Sequence, residues 1–318
     1  MDPTVKPRIA ALTFAGLFAA LPAAVFAQST LADPFKDSRY MSGYRDVAPS
    51  AVPDELSDVD ALTRIRGTKR ISACGDPYAY PSTEITDVAR GYDVDLLKMI
   101  AAKEGWEAQF VWVNTASRGG MNRAFRTTIN KGVCDVFLGL GTGGNDGPLK
   151  RSKLTLIEPS FGVRYVLVTY DPALKSTSLA ELARTKTRLG ATYFSPTENL
   201  LSAQGLDHES FPEARRVVQA MAEGKVRAAL IPSTSLAESR RQFPDRPIYV
   251  VENFIPADAF NWNNAWAVQE KEKELRAFLE ERLAAMAASG ELQALLDRYG
   301  IPYFPPFKTA QAEAAGPK

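Results

Sequence analysis

A β-loop-α unit between residues 70 and 104 constrains this chain more than any other stretch. Residues 70–74 read as a short strand with Ile71 and Ala73 on its buried face, and Gly75-Asp76-Pro77-Tyr78 ends it in a turn. Gly91-Tyr92-Asp93-Val94-Asp95-Leu96-Leu97 then opens a helix. Asp93 stands where a carboxylate can accept backbone N–H bonds, and Val94, Leu97, Ile100 and Ala101 recur at helical spacing before Gly105 closes it. A helix with that apolar stripe must bury it on a parallel sheet, so the unit predicts an α/β protein.

The same alternation continues along the chain. A strand over residues 109–113, a helix through Met121, Phe125 and Ile129 up to Gly132, and a strand over 135–138 complete one block. After a long strand over 161–170, the series restarts. A Ser178-capped helix, a strand at 188–191, helices around 197–204 and 217–221, and a strand at 228–232 form a second block. A strand at 248–251 leads back, and residues 265–268 with helices over 272–288 and 291–299 finish the first. Two such blocks joined by two extended segments, near 163–170 and 248–255, predict a two-lobed clamp whose crevice lies at the strand carboxyl ends. The expected lobes are residues 61–163 plus 256–307, and residues 164–255. At 318 residues and 45% hydrophobic composition, the chain has material for two cores.

Gly139-Leu140-Gly141-Thr142-Gly143-Gly144 matches the dinucleotide fingerprint in letters only. It follows the third strand, and Asn145-Asp146-Gly147-Pro148 breaks the helix that would hold a pyrophosphate, so it reads as a loop over the crevice.

The first 27 residues read as an export signal: Lys6 and Arg8 precede a charge-free run ending Val25-Phe26-Ala27. Without them, 36 basic residues face 36 acidic ones, since Lys6, Arg8 and Asp2 are lost. That balance offers no overall field for nucleic acid or an anionic membrane, and no span is expected in the mature chain, which reads as a periplasmic monomer. Residues 28–60 form an extended arm, either a strap or linker or a partner-binding segment, and residues 308–318 a tail. In an exported protein Cys74 and Cys134 either pair or stay buried as free thiols; as termini of neighbouring parallel strands they would sit roughly 10 Å apart. Neither is expected to be a nucleophile, because the one histidine, His208, falls in a polar, turn-like stretch. That lone histidine also leaves no metal-ligand spacing, and no cofactor is expected.

The order of elements, with Gly91-Tyr92-Asp93-Val94-Asp95-Leu96-Leu97, Gly132-Val133-Cys134-Asp135-Val136, Ser178-Leu179-Ala180-Glu181-Leu182 and Gly290-Glu291-Leu292 ahead of Tyr299-Gly300, resembles the type II periplasmic solute-binding family over about residues 62–303. Ala73-Cys74-Gly75-Asp76-Pro77, combined with Arg123-Ala124-Phe125-Arg126-Thr127-Thr128-Ile129-Asn130-Lys131-Gly132-Val133-Cys134-Asp135-Val136, is similar to its J-type branch, associated with quinoprotein methanol dehydrogenases. The resemblance implies a two-lobed fold and a binding role. For the narrower branch it implies assistance to a pyrroloquinoline-quinone (PQQ) methanol dehydrogenase of the calcium or lanthanide type, with its cytochrome c as a further partner.

Amino-acid-binding members of that family grip the ligand carboxylate with an arginine, and Arg151 falls at that position, although Lys150 and Lys153 also make it part of a basic turn. The acid that holds the ligand amine has no counterpart in Val226-Arg227-Ala228-Ala229-Leu230-Ile231-Pro232-Ser233, which argues against an ordinary amino-acid receptor. Aromatic residues are the other crevice candidates: Tyr78, Tyr80, Phe161, Tyr193, Phe194 and Trp262, while Trp266 reads as core. Two other roles share the fold. One is a receptor for a small organic solute; the other is a cyclohexadienyl-dehydratase-like enzyme, for which Glu158, Glu198 and Arg151 would have to gather around a substrate.

Overall fold

The computed structural model describes residues 59–142 and 147–308. The expected export signal, the arm up to residue 58, the tail beyond 308 and the loop residues Gly143 and Gly144 lie outside the described residues. A helix, Ala61–Thr68, leads into β1 (Arg70–Gly75). Three short strands follow, β2 (Tyr78–Ala79), β3 (Thr83–Ile85) and β4 (Ala89–Arg90), which form their own antiparallel sheet. Next come β5 (Glu107–Trp112), β6 (Val136–Gly141), β7 (Leu154–Leu156) and the long β8 (Phe161–Thr169). The remainder are β9 (Leu189–Thr192), β10 (His208–Phe211), β11 (Ala228–Pro232), β12 (Tyr249–Val250) and β13 (Asn261–Gln269).

The main sheet runs β10-β9-β11-β8-β13-β6-β1-β5. It contains one motif twice: β1 between β5 and β6, and β9 between β10 and β11, all parallel, each trio edged by an antiparallel strand. The edging strands β13 and β8 also pair with each other, Asn261 to Arg164 through Asn264 to Phe161, while the second half of β8 pairs with β11. One strand thus spans both blocks, and the apolar clusters part along it.

Helices cover both faces of each trio, because each strand interior is apolar on both sides. On one face of the first, Leu97 and Ile100 of helix Tyr92–Lys103 pack with Leu279 and Leu296 of helices Lys273–Ala288 and Glu291–Tyr299, all fully buried. On the other, Phe125 of helix Gly120–Thr127 meets Phe137 edge-on at 4.9 Å. In the second trio, β11 alternates: Ala229 and Ile231 pack with Val217 and Met221 of helix Ala214–Ala222, and Leu230 with Leu182 and Leu201 of helices Leu179–Arg184 and Pro196–Ala203. Burying each such side chain contributes about 1.5–3 kcal/mol.

One detail of the opening unit differs from expectation, and another decides between two readings left open. The N-terminal N–H groups of helix Tyr92–Lys103 are met by the carbonyls of Pro81 (2.8 Å) and Ser82 (3.2 Å), so the Asp93 carboxylate is free to turn inward. Gly91 permits that contact: its φ is +122°, and a Cβ there would lie 2.2 Å from the Ser82 oxygen. Cys74 and Cys134 are joined, with S–S 2.05 Å and Cα–Cα 5.7 Å. Cys74 is indeed opposite Phe137 in the ladder. However, β6 begins only at Val136, and Cys134 sits in the irregular stretch before it, so the three-residue offset does not set its distance. His208 belongs to the edge strand β10 rather than to a turn, with Nδ1 2.8 Å from the Leu206 oxygen and Nε2 3.3 Å from Ser202 Oγ. An edge strand tolerates polar residues on its solvent side, which is why its pattern resembles a loop. No described helix is long and apolar enough to cross a membrane.

Candidate functional site

The carboxyl ends of β1, β6, β9 and β11 and the paired strands β8 and β13 bring together the loops where such a sheet holds ligands. The first loop, after β1, is held rigid by Asp76. Its carboxylate accepts from the Tyr78 N–H (2.8 Å), the Thr115 N–H (2.7 Å) and Thr115 Oγ1 (2.5 Å), so it is a loop staple rather than a free anion. Tyr78 is exposed on that loop.

Deeper in, Asp93 organises the wall. Fully buried, it accepts from Ser82 Oγ (2.7 Å), Asn264 Nδ2 (2.9 Å) and Trp266 Nε1 (2.6 Å). It therefore ties the first loop, the helix and β13 to one carboxylate. Burial pushes its pKa up to about 6, against the lowering pull of those three hydrogen bonds.

The second half of the crevice is pinned to the first through helix Leu236–Gln242. Arg241 lies over the Tyr80 ring at 3.8 Å, donates from Nη2 to both Glu238 oxygens (3.0 and 2.9 Å), and reaches Glu84 Oε1 at 2.9 Å. Beside it, Arg240 donates to the Asp297 carbonyl at 2.7 Å, and Tyr80 Oη donates to the Ala237 carbonyl at 3.4 Å. Glu84 Oε2 is buried without a hydrogen-bond partner among the described residues. Burial raises the Tyr80 hydroxyl's pKa, and the Arg241 charge opposes that shift.

The expected site residues scatter over these features. Tyr80 lies in the junction just described. Trp262 is half-buried on β13, 5.3 Å from the Tyr165 ring and against Gly141. Phe161, expected to line the crevice, is fully buried and meets Tyr92 edge-on at 5.3 Å, because its place on β8 points it at helix Tyr92–Lys103. Tyr193 and Phe194 follow β9 and are 51% and 95% exposed. Phe194 has a φ of +58°, unusual for a bulky residue, and its N–H is held by Glu198 Oε2 at 2.5 Å. Arg151 is exposed, its guanidinium 3.2 Å from Asn122 Oδ1. Glu158 is exposed, with Glu280 accepting from its N–H, while Glu198 holds the Phe194 N–H.

Among the described residues, the second half offers no loose acid at the β11 end either. Ser233 Oγ accepts from the Arg164 N–H at 3.4 Å, and Glu238 is already engaged by Arg241 and Gln242. Arg227 sits at the opposite end of β11, paired with Asp171 at 2.6 Å. No cluster of His, Cys, Asp and Glu suited to a metal occurs among the described residues. Sequence reading missed Asp93's inward turn and the Arg241 junction. Glu238 and Arg241, three apart in Leu236-Ala237-Glu238-Ser239-Arg240-Arg241, were the available signal for the latter.

No protein-family model matches the chain, and no curated protein matches its sequence. Solved structures do. An ancestral cationic amino-acid solute-binding protein aligns at 17% identity over 75% of this chain and 99% of its own, with a TM-score of 0.60. The L-cystine solute receptor of Neisseria gonorrhoeae, in its unliganded open conformation, aligns at 17% identity over 78% and 99%, TM-score 0.59. An amino-acid ABC-transporter substrate-binding protein of Streptococcus pneumoniae, bound to L-arginine, aligns at 14% identity over 76% and 97%, TM-score 0.51. The chain has the mixed α/β, type II periplasmic binding protein fold.

Proposed function

We propose that a protein on this solute-binding scaffold acts outside the cytoplasm, without catalysis, and holds in its crevice a small organic ligand other than a free zwitterionic amino acid. Similarity to the cystine receptor and to the cationic amino-acid binder supports the receptor role, and residues 1–27 support export. One observation carries the selectivity: the charges near the crevice are already engaged. Arg241 is bonded to two glutamates and Asp76 to Tyr78 and Thr115, while Tyr78, Tyr193 and Phe194 are exposed aromatic surface. A zwitterion needs a loose guanidinium and a loose carboxylate, whereas a ligand with aromatic or apolar area needs only desolvating contact. Calorimetry of the mature protein against the common amino acids and against PQQ tests this. Saturable micromolar binding of an α-amino acid would defeat it.

A second reading is favoured by the Cys74–Cys134 bond, which joins the two stretches that resemble the J-type branch. In it, the crevice takes an exposed segment of a PQQ methanol dehydrogenase, calcium or lanthanide type, and favours its active conformation by binding that state preferentially. Purified dehydrogenase, with or without its cytochrome c, should then be retained by the immobilised protein and released when Tyr78, Tyr193 and Phe194 are changed to alanine. Retention that ignores the three changes would remove the aromatic rim from the account.

A further inference from the structure

Charge on this nearly neutral chain is unevenly placed. Residues 108–134 contain Arg118, Arg123, Arg126 and Lys131 and no acid, and residues 147–157 contain Lys150, Arg151 and Lys153 and no acid. All seven cations are exposed. None has an ion pair among the described residues, whereas Arg184 is paired with Glu181, Arg215 with Glu213 and Arg227 with Asp171.

The fold brings the two stretches onto one face. Helix Gly120–Thr127 turns Ala124 and Phe125 into the core, which leaves Arg123 and Arg126, three residues apart, on its outer side. Met121 and Leu149 pack on the same cluster, and Arg151 bonds Asn122, which seats the second stretch against the helix. The adjoining acids are Glu270, whose N–H bonds the Lys153 carbonyl; Asp135 and Glu272, which line one depression with Lys131 but are held by Arg64 and by the Ala61 N–H; and Asp76, already saturated by Thr115 and Tyr78.

Seven exposed cations without ion-pair partners project a positive field over about one Debye length, roughly 8–10 Å. Their exposure does not suit a small anion, which needs converging, desolvated donors. A membrane-adsorbing helix would show large apolar residues beside its cations. Among the described residues, the exposed large hydrophobic ones (Val59, Tyr78, Val88, Tyr193, Phe194, Val250 and Ile255) all fall outside both stretches. We propose that this face docks the acidic surface of a protein partner, steering its approach electrostatically beside the first crevice loop, to which Asp76 and Thr115 connect it. The proposal does not depend on which ligand the crevice holds.

Biolayer interferometry of the mature protein on immobilised polyglutamate, at low and at physiological ionic strength, tests the proposal. One variant combines Arg123→Gln, Arg126→Gln and Lys131→Gln; a control with the same net charge combines Arg184→Gln, Arg215→Gln and Lys225→Gln. The expected result is salt-sensitive binding that falls about tenfold or more in the first variant and less than about twofold in the control, with unchanged melting temperatures. No binding by the parent, or equal loss in both variants, would overturn the proposal. So would displacement by millimolar inorganic phosphate, or tighter capture by phosphatidylglycerol vesicles than by polyglutamate.

Discussion

Asp93 makes the stability of this protein pH-dependent in a calculable way. Its carboxyl is fully buried, has no cation beside it, and is raised from 3.8 to about 6 chiefly by burial. In the unfolded chain the group ionises near its ordinary value. Between about pH 4 and pH 6 the unfolded state has therefore lost a proton that the folded state still holds, and stability falls as pH rises. At ~1.4 kcal/mol per tenfold change in proton affinity, the loss is about 3 kcal/mol, complete a little above pH 6. Asp93→Asn keeps an acceptor for Trp266 and Asn264 and cannot ionise; its amide would donate to Ser82 Oγ, whose hydroxyl must reverse. Melting of the parent and of this variant from pH 4 to pH 8 should show the parent losing roughly 6–12 °C relative to the variant across that window, given ~2–4 °C per kcal/mol for a chain of this size. Buried Asp135 and Glu238, whose pKa values are also raised by burial, are common to both proteins and cancel in the difference. A difference that stays flat with pH would refute the reasoning.

Three further outcomes follow from the same geometry. Gly91→Ala should cost more than about 3 kcal/mol or prevent folding, because the new Cβ meets a backbone oxygen, while Gly105→Ala, with open space around it, should cost about 1 kcal/mol; equal melting of the two would count against the Ser82 contact. Replacing Cys74 and Cys134 by serine opens a loop with a sequence separation of 60 and should lower stability by about 4 kcal/mol, read as a matching fall in urea midpoint that reductant reproduces in the parent. Glu84→Gln removes half of the Arg241 junction, whose side chains are partly exposed, so about 1 kcal/mol is at stake and amide exchange in β2 and β3 should quicken roughly fivefold; unchanged exchange would mean that the junction holds nothing.

The fold was largely legible because periodic apolar burial is the main force that shapes it. The 3.6-residue spacing of Val94, Leu97 and Ile100 and the apolar run of β8 appear in the chain order itself, and both settled where that order implied. The site was less legible. Phe161 and Trp262 are both aromatic residues on crossover strands, and only the direction of each side chain separates a core filler from a half-buried one. Helix Leu236–Gln242 and the sheet β2-β3-β4 were missed because their short, polar elements are held by contacts with residues far along the chain, such as Arg241 with Glu84.

From the chain alone came the two α/β blocks, their joining strands, the near-zero charge and the two acid-free stretches, since each depends on composition or on neighbours within a few turns. Tertiary structure alone decided that Cys134 reaches Cys74, that Asp93 faces inward with a raised pKa, that Arg151 is seated against the helix that carries Arg123 and Arg126, and that Arg241, Glu238 and Asp76 are engaged with one another or with nearby backbone and hydroxyl groups. These are properties of distances between residues tens to hundreds of positions apart. Burial and Coulomb interactions depend on such distances, and local sequence does not encode them.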